Sequence, residues 1–79
     1  MKHQRHFGSA SVIPLREMAR IGALIGDIDR RARLLDHDIV AYPILAATLT
    51  ERRDNLRVTI AALKERLVGL QGRADNVLA

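Results

Sequence analysis

The chain has no cysteine, no tryptophan, one tyrosine, one phenylalanine and two prolines among 79 residues. Without cysteine there is no disulfide and no thiolate, so thiol catalysis and cysteine-ligated metal centres are excluded. Histidine stands only at His3, His6 and His37, too dispersed for a metal site, and no metal or cofactor is expected. Aromatic residues make up 3% of the chain, which removes the stacking platform that single-stranded nucleic acid needs. No apolar run is long enough to cross a bilayer. Residues 1–11 start basic but lack the apolar core of a secretory signal. The sequence therefore predicts a soluble, cytoplasmic protein with no membrane association.

Catalytic motifs are missing as well: there is no P-loop, GxGxxG, HExxH or GxSxG pattern. Asp36-His37-Asp38 is the one stretch where carboxylates flank an imidazole. Neighbours in sequence point in different directions and no second histidine completes a site, so these residues read as turn or capping groups. No catalytic residue is expected, and the chain reads as non-enzymatic.

A chain of this length is one domain with a small core, and such domains commonly depend on a disulfide, a metal or a second subunit. With the first two aids removed by composition, oligomerisation is the one left. The charge is modest: 13 Lys and Arg against 9 Asp and Glu give +4. This is far from the dense basic stripe of a dedicated nucleic-acid binder.

What is present is a heptad repeat. From Met18 to Val77, a positions at Met18, Ile25, Ala32, Ile39, Ala46, Arg53, Ile60, Leu67 and Ala74 alternate with d positions at Ile21, Ile28, Leu35, Tyr42, Leu49, Leu56, Leu63, Leu70 and Val77. Only Arg53 is not apolar, whereas a chain that is 48% hydrophobic would place apolar residues at about half of such positions by chance. That spacing predicts α-helices packed along a narrow seam.

Tyr42-Pro43 interrupts it, because proline lacks the N–H that a helix interior needs and drives the preceding residue out of helical space. The expected fold is all-α, an antiparallel two-helix hairpin. Residues 1–13 form a flexible basic tail, one helix covers about 14–37 and begins near Pro14, and a second covers about 43–71. Residues 73–79 form a frayed end beyond the candidate C-cap glycines Gly69 and Gly72. The turn is expected near residues 38–43, with Arg53 opposite Ile28 and within reach of Asp27 or Asp29. A single kinked helix is the alternative, since the heptad phase runs straight through the break.

The second helix is then longer than the first and overhangs it, exposing Leu67 and Leu70. Gly22 and Gly26 lower helix propensity by about 1 kcal/mol each relative to alanine, and close approach of a neighbouring helix would account for them. These features predict a homodimer assembled as a four-helix bundle, with self-association carried by Leu56, Ile60, Leu63, Leu67 and Leu70. The expected function is a helical oligomerisation or protein-interaction module. The alternative is a small dimeric RNA- or DNA-binding bundle contacting phosphates through Lys2, Arg5, Arg30, Arg31 and Arg33.

Overall fold

The computed structural model describes the backbone of residues 2–78 and the side chains of residues 14–73 and 75. Helix α1 is Lys2–Ala41, a short 3-10 turn is Pro43–Leu45, and helix α2 is Ala46–Leu78. The two long helices pack against each other as an antiparallel hairpin. Its extents are 63 × 18 × 13 Å, whereas a single helix of this chain would run about 115 Å at 1.5 Å per residue. The chain therefore folds back on itself, and the break at Tyr42-Pro43 is a true reversal.

The reversal follows from the proline. Tyr42 takes φ −127° and ψ 78°, outside the helical region that a residue before proline disfavours. Its N–H still donates to the Asp38 carbonyl at 2.8 Å, and the Leu45 N–H donates to the Tyr42 carbonyl at 3.0 Å. The last turn of α1 and the 3-10 turn thus share Tyr42 as their junction. Pro43 opens the 3-10 turn, where its missing N–H costs no hydrogen bond.

Several boundaries differ from the sequence expectation. Asp36, His37 and Asp38 lie inside α1, so the turn falls at residues 42–45. Carboxylates tolerate turns without imposing one, and the proline is the stronger constraint. Helical backbone begins at Lys2, ahead of the expected start near Pro14, because an internal proline removes one ladder bond and kinks a helix without having to end it. Gly69 and Gly72 lie within α2, and no described glycine has positive φ. Neither is a left-handed C-cap. With 40 residues in α1 and 33 in α2, the second helix does not overhang the first.

The predicted seam is the core. Among the described residues the buried ones are Ile21, Ile28, Ala32, Ile60 and Leu70, all of them a or d positions. Of the other described seam residues, only Tyr42 is exposed; the rest are half-buried. Two cylinders touching along a line protect just the contact strip, so no described side chain reaches complete burial. The radius of gyration is 18.1 Å, against about 12 Å for a compact domain of this length.

Candidate functional site

Arg53, the one charged seam residue, organises the turn half of the hairpin. Its Nη1 donates to Asp36 Oδ1 of α1 at 2.9 Å, and its Nη2 and Nε donate to Asp54 Oδ1 at 3.1 and 3.2 Å. Arg57 Nη2 reaches the other oxygen of Asp36 at 3.4 Å. Hydrogen bonds donated to Asp36 and then to Asp54, with the charges of those carboxylates, raise the Arg53 pKa above its ordinary arginine value against the opposing effect of desolvation. The side chain is 22% exposed, its stem lying along the seam and its head turned out to the carboxylates. The partner differs from the expected Asp27 or Asp29. Moving the turn toward residue 45 slides α2 along α1 by about two helical turns, bringing Asp36 to Arg53 in place of Asp29.

The pairs between helices obey the geometry of an antiparallel seam, in which e positions flank e positions and g positions flank g positions. Asp36 and Arg57 are both e. Glu17 and Arg66 are both g, joined at 3.0 Å. Arg33 pairs with Asp29 along α1 at 3.0 Å, and Arg30 with Asp27. The hairpin consequently has two unlike broad faces. One carries the e and b positions, and there every charged side chain from Ala19 to Val40 and from Ala47 to Ala61 is paired within the chain. The other carries the g and c positions, where Arg20, Arg31, Arg52 and Arg73 have no ion pair among the described residues.

Of the residues expected to mediate self-association, Ile60 and Leu70 are buried in the intrachain seam. Leu56, Leu63 and Leu67 are half-buried and retain surface for a neighbour. Of the expected phosphate contacts, Arg30 and Arg33 are held by Asp27 and Asp29, Arg31 is exposed on the opposite flank, and the side chains of Lys2 and Arg5 lie outside the described residues. Arg20, Arg52 and Arg73 join Arg31 on its face; that grouping needs the pairing of the two helices, which heptad spacing alone does not supply.

Large apolar side chains remain exposed. Val40, Tyr42, Ile44 and Leu45 ring the turn, with Ile44 97% exposed, while Val58 and Val68 stand out on α2. Segment 39–50 contains no charged residue. A methyl group placed on Gly22 or Gly26 would meet nothing within 4 Å, so α2 does not approach them and the hairpin leaves their presence unexplained. Among the described residues no cluster of acidic and histidine side chains suits a metal ion, and no helix is long and apolar enough to cross a membrane. Compared with known proteins, the chain matches no family model, no curated protein and no solved structure.

Proposed function

We propose that this protein is a non-enzymatic helical self-association module whose hairpins pair into a four-helix bundle. The observation that carries the reading is surface. The hairpin exposes 6466 Å², whereas a compact monomer of 8.8 kDa exposes about 4,800 Å². The excess is about 1,700 Å² per chain; two chains covering that much of each other bury about 3,400 Å², within the range of obligate homodimers. Five buried side chains among the described residues make a thin core, and pairing would close the half-buried flanks of the seam. The thermal midpoint tests this, because mass action makes it rise with protein concentration when folding and association are linked. A midpoint unchanged over a wide concentration range contradicts the proposal.

A second reading, a nucleic-acid-binding bundle, draws on the unpaired Arg20, Arg31, Arg52 and Arg73 of the g/c face. Its signature is affinity that falls steeply with salt as phosphate counterions are released. Asp27, Asp38 and Glu17 are interleaved on the same face, which dilutes the field that this reading requires.

A further inference from the structure

We infer that the e/b face of the hairpin is the surface that docks a second copy of this chain, and that the g/c face remains in solvent; the inference rests on the self-association reading. A surface that loses its water must hold its charges already compensated, since an unpaired ion carried into an interface retains its desolvation cost. The two faces differ in just this respect. On the e/b face Asp29 is bound by Arg33, Asp36 by Arg53 and Arg57, and Asp54 by Arg53, leaving Lys64 and Asp75 near the open end as its unpaired charges among the described residues. Docking the g/c face would instead bring the unpaired Arg20, Arg31, Arg52 and Arg73 toward their copies.

Shape agrees with charge. Toward the open end the e/b face presents Leu15, Ala19, Gly22 and Gly26 from α1 and Ala61 and Val68 from α2, all exposed. The space over both glycines is empty in the hairpin, so a neighbouring helix can approach the backbone there with nothing of the same chain in between. The occupant is a second copy because the excess surface of one chain matches what each partner of a stable homodimer covers. The g/c face is accessible as well, with Leu24 and Leu34 exposed and open space over Gly69; what favours the e/b face is that fewer of its charges are uncompensated among the described residues.

The open space over the glycines supplies the test. Gly22→Glu and Gly26→Glu, made singly, introduce better helix formers at sites where an added Cβ meets nothing in its own chain, so helix content by circular dichroism should be retained or increased. Sedimentation velocity should show association weakened by more than about tenfold, as expected when an unpaired charge enters an interface. Ala61→Glu on α2 should act alike and serves as a second probe should either glycine variant fold poorly. Leu24→Glu and Ala62→Glu, exposed on the g/c face, should leave association within about twofold of the parent, as exposed substitutions do. Retained dimerisation in the e/b variants, or its loss in the g/c variants alone, overturns the assignment of the face. A monomeric parent protein overturns the self-association reading itself, so the two failures are distinguishable.

Discussion

Ile28 and Val58 offer a matched test of the energetics, both being β-branched residues within long helices with opposite environments. Ile28 is 8% exposed and Val58 is 69% exposed. Ile28→Ala removes three carbons from the seam, and at about 0.8 kcal/mol per buried methylene the transfer loss is about 2.4 kcal/mol. A residual cavity adds to that, though a seam open at its edges collapses more readily than a globular core, so the expected cost is about 2–3 kcal/mol, near the lower end for such substitutions. A domain of this size has about 4–12 kcal/mol in total, so the loss is a large share. Val58→Ala should change stability by less than about 0.5 kcal/mol, its lost contacts offset by alanine's helix propensity. Urea unfolding followed by circular dichroism, at one fixed protein concentration, measures both. Equal effects at the two positions would refute the assignment of the a/d seam as the core.

Gly69→Ala and Gly72→Ala should each stabilise the protein by about 0.5–1 kcal/mol, because both sites are helical and open; a left-handed cap at either site would make alanine destabilising, and thermal melts separate the two. Arg53→Leu should keep the hairpin folded, since Asp36 and Asp54 are exposed enough to remain hydrated and Asp36 keeps Arg57, while weakening the tie between the helices and loosening register; a cross-helix spin-label distance that stays equally narrow would contradict the clamp. The raised Arg53 pKa means that the stability contributed by its charge is complete below the ordinary arginine range and lost only as pH rises through the higher folded value. Urea midpoints across the neutral range should therefore show no titration attributable to it. Should the g/c face bind phosphates, replacing Arg31 and Arg52 together should reduce the log–log salt slope by about two, while replacing the paired Arg30 and Arg33 should reduce it less.

The seam was legible because burial in paired helices is periodic: a residue every three or four positions must be apolar, and Ile21, Ile28, Ile60 and Leu70 announce themselves by spacing alone. The hairpin was legible from Tyr42-Pro43 for an equally local reason. The position of the turn was harder to read, since Asp36 and Asp38 suit a turn as readily as they suit a solvated helix flank. The partner of Arg53 depended on that position, because a slide of about two helical turns exchanges Asp29 for Asp36. Helix ends were obscure because Gly69 and Gly72 allow a left-handed cap without demanding one. The two-faced character of the hairpin required knowing that e flanks e and g flanks g, a property of pairing between segments that neither segment carries alone.

Association of two hairpins is the claim on which the functional reading depends. Sedimentation equilibrium of the purified chain at micromolar concentration tests it most directly. A bundle of two hairpins gives a single species of about twice the 8.8 kDa chain mass, dissociating on dilution with concurrent loss of helix. A cooperatively folded species that holds the mass of one chain throughout would contradict it.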